Sequence, residues 1–415
     1  MSYAVTKSSP VLVKPAASTP TETIPLSSID RTAAVRVSVD FISVFSHGEH
    51  PAKRIKEAFA KALVPYYPVA GRIAEPTFGV PVVDCTGEGI WYVEATANCS
   101  LEDVNYLERP LMIPKEEMLP RPPAGVKLED QILMAQITEF TCGGFAVGIC
   151  FSHLVFDGQG AAQFLKAVGD MARGLPEPTV KPVWSREAIP DPPKVPFSGP
   201  PPSFTAFNFV TSVIEISLDS INQNKDKFTT ETTQRCSTFD VITAMIFKSR
   251  AKAIKLANTA EVRLGFAAST RHLLHGVLPT VEGYYGNCVY PVGITKTSEE
   301  INSASLVEVI SFIKDAKDAL STKFVDWMNG GSDTHYNVPL DYGTVTVSDW
   351  SRVGFNEVDY GFGEPKYVFT LNDDVNIVGS VIYLKPPTPK QGIRLMLRCV
   401  EEEHSAEFCD ELLKF

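Results

Sequence analysis

The chain is predicted to be an α/β protein of two domains, on three observations. Its 415 residues exceed what a single compact core usually organises. Strand-like and helix-like segments follow one another without the regular alternation of a doubly wound sheet, and no Gly-rich phosphate fingerprint occurs. Between Pro190 and Pro202 seven of thirteen residues are proline. No helix or central strand tolerates that density, so the stretch reads as an extended crossover between two halves. The division is therefore residues 1–189, a Pro-rich crossover at 190–203, and residues 204–415.

Hydrophobic residues at 44% and charged residues at 21% are ordinary for a globular protein. With 38 basic and 49 acidic residues the net charge is −11, which argues against nucleic-acid or anionic-membrane partners. The N-terminal stretch lacks the apolar core of a signal peptide, and no run approaches the ~20 apolar residues of a membrane span. Cysteines at 85, 99, 142, 150, 236, 288, 399 and 409 have no framework spacing and read as free thiols. A cytoplasmic monomer is the expectation.

In chain order, Pro10, Pro15, Pro20 and Pro25 mark an extended arm with a strand at 11–13. Residues 35–45 alternate, with Val35, Val37, Val39 and Phe41 on one side. Pro51 opens an amphipathic helix carrying Ile55, Ala58, Phe59 and Leu63 on one face, and Pro65 ends it. Residues 79–95 read as a hairpin turning at Asp84 to Gly89, and the strand at 131–138 is expected to pair with one at 144–151. In the second half, strands are predicted at 207–216, 262–268, 288–292, 344–350, 367–371, 380–384 and 393–400. A helix opens at Ser237 with a basic tail, another spans 305–323, and a short one ends the chain. Basic residues near a helix C-terminus are usually solvated partners of its dipole, with phosphate contact as the sharper alternative.

The stretch from Gly143 to Gly160 carries the chemistry. Phe145 to Phe151 form an uninterrupted apolar run too short for a typical helix, as in a fully buried strand. Ser152, His153 and Asp157 follow where the strand meets a loop, and a helix is predicted from Gln159 to Arg173. His153 is open to two readings, a core histidine or a general base kept neutral by desolvation. Asp157 could orient the ring, join it in binding metal, or pin the loop. Ser152 faces away from His153 on an extended segment and makes a poor triad nucleophile. No third ligand with recognisable spacing supports metal. What survives is a lone base followed by a buried carboxylate whose best partner is an arginine elsewhere, with Arg271 the candidate.

Together, Ser152 to Gly158 (SHLVFDG), DYGFGEP at 359–365, LVPYYPVAGR, CSTFDVITAMIFKSRAKA and EGYYGNCV resemble, in order, the motifs of plant BAHD acyl-CoA-dependent acyltransferases. The match runs over essentially the whole chain. It departs where Tyr360 and Phe362 replace the family's Phe and Trp in the D-F-G-W-G box. The resemblance implies two chloramphenicol-acetyltransferase-like domains with mixed sheets flanked by helices and an active-site channel between them. It also implies that a segment at about 359–385 crosses over to the first domain.

By the same resemblance His153 is the base, and Trp350 and Ser348 stabilise the tetrahedral oxyanion. Asp157, Arg271, Gly158, Asp359, Gly361 and Gly363 support the site. Ser237, Thr238, Tyr285, Gly286 and Asn287 hold CoA, and Asp40 and Ile42 line the substrate channel. No cofactor is bound permanently and no metal is implied; acyl-CoA is a co-substrate. Overall likeness is nearest to the grass hydroxycinnamoyl-CoA:monolignol transferases, so the expected partners are hydroxycinnamoyl-CoA and an alcohol acceptor. An acceptor such as arabinose, a peptide-synthetase condensation domain, an esterase and a non-catalytic acyl-CoA binder are the rivals.

Overall fold

The computed structural model describes residues 3–32, 35–192, 205–331, 339–373 and 376–415, so residues 193–203 of the Pro-rich crossover lie outside the described residues. The chain divides into two compact units. One comprises Met1–Asp191, Leu274–Cys288 and Arg352–Asn372; the other comprises Pro192–Leu273, Val289–Ser351 and Asp373–Phe415. In chain order the strands are β1 (Val5–Lys7), β2 (Val11–Val13), β3 (Thr23–Pro25), β4 (Ser38–Phe45), β5 (Arg72–Thr77), β6 (Val80–Asp84), β7 (Ile90–Ala97), β8 (Leu133–Glu139), β9 (Phe145–Ser152), β10 (Ser212–Ile216), β11 (Glu261–Ser269), β12 (Val289–Thr297), β13 (Thr344–Asp349), β14 (Tyr367–Thr370), β15 (Gly379–Leu384) and β16 (Ile393–Arg398).

Among the described residues, the first unit is built on a seven-stranded mixed sheet in the order β1-β7-β8-β9-β4-β14, with β2 also on β7, and on a three-stranded sheet, β3-β6-β5. The apolar run of β9 is central because both faces are covered, and Phe145 to Phe151 are all buried. It pairs antiparallel with β8 and β4, which sets Ser38 opposite Ser152 and Asp40 opposite Cys150. The helix Pro51–Ala62 buries Ile55, Ala58 and Phe59, and the helix Gly158–Ala172 buries Phe164, Leu165 and Val168. The Phe59 and Phe164 rings meet 6.1 Å apart.

The second unit holds a mixed sheet in the order β10-β16-β15-β13-β11-β12. Its helix Thr238–Ala253 follows the Ser237 cap, as the sequence predicts. Arg250 on that helix is fully buried and donates through Nε to the Cys399 carbonyl at 2.8 Å.

Three expectations of the fold change, and one helix was not expected. Residues 79–95 do not form a hairpin, because β6 pairs with β5 and β3 whereas β7 runs parallel to β8. Glycines at 87 and 89 signalled a change of direction, and what they make is a passage between sheets. The helix expected at 305–323 is two, Leu306–Asp318 and Leu320–Met328, burying Val309, Ile310 and Ile313 and then Leu320, Phe324 and Trp327. A helix at Leu218–Thr232 carried little apolar signal, since only Ile221 and Phe228 are buried on it. Of the crossover segment predicted at about 359–385, β14 joins the first unit's sheet beside β4, but β15 lies between β13 and β16 of the second.

The loop before β14 is held by one carboxylate. Asp359 Oδ1 accepts the N–H groups of Gly361, Phe362 and Gly363 at 2.7, 3.0 and 2.8 Å, and both glycines take left-handed φ, +90° and +86°. Tyr360 is buried against Phe45 and Phe362 packs on Phe145, so the box anchors to the central strands. Asp359→Ala should cost about 1–3 kcal/mol. It should appear as a lower melting temperature and faster proteolytic cleavage at 359–366; unchanged melting and cleavage would refute the anchoring role.

Candidate active site

Strand β9 runs out at Ser152, and the chain turns before the helix Gly158–Ala172 begins. His153 sits on this turn, half-buried, its N–H donating to the Val37 carbonyl at 3.0 Å. Its own carbonyl accepts from the Asn287 side-chain amide at 2.7 Å. Nδ1 of the ring is buried and has no hydrogen-bond partner among the described residues. A triad-like arrangement, in which a carboxylate holds Nδ1–H, is therefore not what Asp157 makes.

Asp157 is the N-cap of the following helix. It is 2% exposed; Oδ1 accepts the Gly160 N–H at 2.8 Å and Oδ2 accepts the Cys288 N–H at 3.1 Å. One carboxylate thus satisfies an orphan donor of the helix start and clips the 284–288 segment to it. Gly160 permits that approach, since a Cβ there would lie 2.0 Å from the Tyr285 carbonyl oxygen. Gly158, the first helical residue, faces Val353.

Beside the turn, the first unit contains a cavity of about 390 Å3. Ser38, Ser152 and Gln131 offer polar groups to it, and Val37, Met134 and Leu154 offer apolar surface. Cys150 also lines it. Burial, and then the Asp40 carboxylate opposite, push its thiol well above the ordinary value, so it remains protonated and is no nucleophile. Asp40 is half-buried, its N–H bonded to Asn372. Ile42 has no exposed surface and pairs with Gly148 in the core, which differs from the expectation that it lines a channel.

Two residues expected to hold CoA have side chains turned inward. Tyr285 is 1% exposed, its ring packed among Tyr66, Phe156 and Trp184. Asn287 is fully buried, and its amide bonds to Asp30 and to the His153 carbonyl. Gly286, between them, sits against Tyr284 and Arg186.

In the second unit, Ser237 caps the helix Thr238–Ala253 in a capping box with Asp240. Lysines that the sequence did not single out gather at this helix start. Lys225 Nζ donates to Thr238 Oγ1 at 2.8 Å, Lys317 Nζ meets Asp240 Oδ1 at 2.7 Å, and Lys314 Nζ donates to the Arg235 carbonyl at 3.0 Å. They come from helices Leu218–Thr232 and Leu306–Asp318, so no local spacing linked them. Burial and Asp240 raise the nearby Cys236 thiol, and the three lysines oppose that shift. Ser348 lies on β13 and Trp350 just beyond it, both half-buried, with the Trp350 backbone N–H on the Tyr383 carbonyl at 2.9 Å. Arg271 opens a short turn, Arg271–Leu273, at the end of β11.

A family model described as the Transferase family matches residues 3–411. The chain belongs to this family, the BAHD acyltransferases. It is 44% identical to rice (Oryza sativa subsp. japonica) acyl transferase 9 over 98% of this chain and 97% of that protein. It is also 44% identical, over the full length of both, to a myricetin 3-O-glucosyl 1,2-rhamnoside 6'-O-caffeoyltransferase (AT1) of Crocosmia x crocosmiiflora. Among solved structures, F. sporotrichioides TRI101 in complex with coenzyme A and T-2 has a TM-score of 0.75, covering 95% of this chain and 99% of that one at 15% identity. The likeness shows the fold, two α/β domains with mixed sheets. The protein is an acyl-CoA-dependent acyltransferase. Among the described residues no helix is long and apolar enough to cross a membrane.

Asp157→Asn keeps one acceptor and sets an NH2 against a buried N–H, which leaves a donor unsatisfied at about 1–3 kcal/mol. Melting temperature and turnover of this variant should fall together. A variant that melts like wild type yet has lost all turnover would show that the carboxylate is chemical rather than structural.

Proposed function

We propose that the protein transfers a hydroxycinnamoyl group, p-coumaroyl or feruloyl, from CoA to the hydroxyl of a monolignol. The observation that carries the reading is His153, held on the turn where a buried strand runs out, in a chain 44% identical to a caffeoyltransferase over its full length. His153 removes the proton from the acceptor hydroxyl. The oxygen attacks the thioester carbonyl directly, the Trp350 indole N–H and the Ser348 hydroxyl stabilise the oxyanion, and its collapse expels the CoA thiolate, which takes up the proton. Asp157 supports the turn and takes no part in the proton's path.

CoA docks with its phosphates at the start of the helix Thr238–Ala253. Ser237 and Thr238 lie there, and Lys225, Lys314 and Lys317 supply positive charge at an N-terminus already favourable to anions. A sugar hydroxyl is the second acceptor reading, favoured by the caffeoyltransferase relative, whose name places its acyl group on a glycoside.

Incubation with p-coumaroyl-CoA and coniferyl alcohol should give coniferyl p-coumarate by mass spectrometry, and neither substrate alone should be consumed. CoA release without the alcohol would identify a thioesterase; no consumption in either case would reject this pairing of donor and acceptor. His153→Ala should lower kcat by about 10²- to 10⁴-fold with acyl-CoA binding retained. Removal of either oxyanion donor should cost roughly 10²- to 10³-fold.

Charge reversal at Lys225 or Lys314 should raise KM for acyl-CoA, and the wild-type KM should rise with salt as screening grows. A KM indifferent to both changes would move CoA elsewhere.

A further inference from the structure

The first unit buries a charged pair that the reaction above does not use. The side chains of Arg186 and Asp30 have no exposed surface. Buried ion pairs seldom add net stability, because both charges lose their hydration. Their bonds show a different task. Arg186 Nη1 donates to Asp30 Oδ2 at 2.5 Å, and Nη2 donates to the Val155 carbonyl at 2.6 Å. Asp30 Oδ2 also accepts from the N–H and hydroxyl of Ser27, at 2.9 and 2.7 Å.

Its other oxygen accepts from the backbone N–H and side-chain amide of Asn287, at 3.0 and 2.7 Å. The same amide nitrogen donates to the His153 carbonyl at 2.7 Å. The guanidinium is confined by the Trp184 ring, 4.0 Å from its carbon, and by Gly286, where a Cβ would fall 2.6 Å from Nη1. One carboxylate therefore reaches two carbonyls of the 153–157 turn through two donors. Since Nδ1 of His153 has no partner among the described residues, the backbone of that turn is what aims the ring.

We propose that Asp30, Arg186 and Asn287 are positioning residues for His153, holding the carbonyls of residues 153 and 155 so that the imidazole projects in one direction. The inference rests on His153 being the base. A displacement of the ring by an ångström is enough to cost about 10²-fold.

The test compares wild type, His153→Ala, Asn287→Ala and Arg186→Lys, each labelled with 13C-histidine. The His153 ring signal is assigned by its loss in His153→Ala. In Asn287→Ala and Arg186→Lys the His153 ring signal should shift or broaden, while the ring signal of His404 in the second unit stays in place. With p-coumaroyl-CoA and coniferyl alcohol, kcat should fall roughly 10- to 100-fold with both KM values nearly unchanged. Arg186→Lys retains the charge opposite Asp30; should it fail to fold, Asn287→Ala, which leaves the ion pair intact, carries the comparison. An unmoved His153 signal, or a loss confined to KM, overturns the positioning role. Full turnover by His153→Ala would instead sink the base reading, and the ring signals would still report whether the network sets the turn.

Discussion

The two oxygens of Asp157 impose the constraint on which the site depends. One closes the first turn of the helix Gly158–Ala172 and the other takes the N–H of Cys288, from a segment 131 positions further along the chain. Because the carboxylate is buried, either donor left without it would lose the full benefit of its former hydration. The turn carrying His153 is thereby tied at both ends, to β9 before it and to the capped helix after it. Its geometry is a property of the packed unit rather than of a free loop.

Carboxylates hold backbone groups in place through the first unit. The part-exposed Asp359 gathers three amides; the buried Asp157 takes two, and the buried Asp30 takes two backbone amides with the Asn287 side-chain amide, a hydroxyl and a guanidinium. Asp157 and Asp30 hold strongly because water does not compete for their lone pairs. The chemistry proposed for His153 needs a ring held in one direction, and that framework fixes the backbone on either side of it. At the start of the helix Thr238–Ala253 the buried Asp240 likewise accepts the Ser237 N–H, and the half-exposed Lys317 and Lys225 bond to Asp240 and Thr238.

The sequence by itself determined the α/β class, the central strand, the helix that Ser237 caps and the position of His153, because each is written in local signals: an unbroken apolar run, an acceptor side chain before a helical period, a proline or glycine at a boundary. It also carried the family, through motifs that occur in order. Tertiary structure alone decided the rest. Strands β6 and β7 look like a hairpin along the chain and separate into different sheets, since turn residues set a change of direction and not a partner. Lys225, Lys314 and Lys317 become neighbours only when their helices pack. Asn287 looked like a ligand contact and is a clamp, because burial converts a polar side chain in a glycine-rich loop from a group facing solvent into one that must find its partners inside. Asp30 and Arg186, 156 positions apart, gave no signal at all, for the pairing of two buried charges is a fact of distance in space and leaves no period in the sequence.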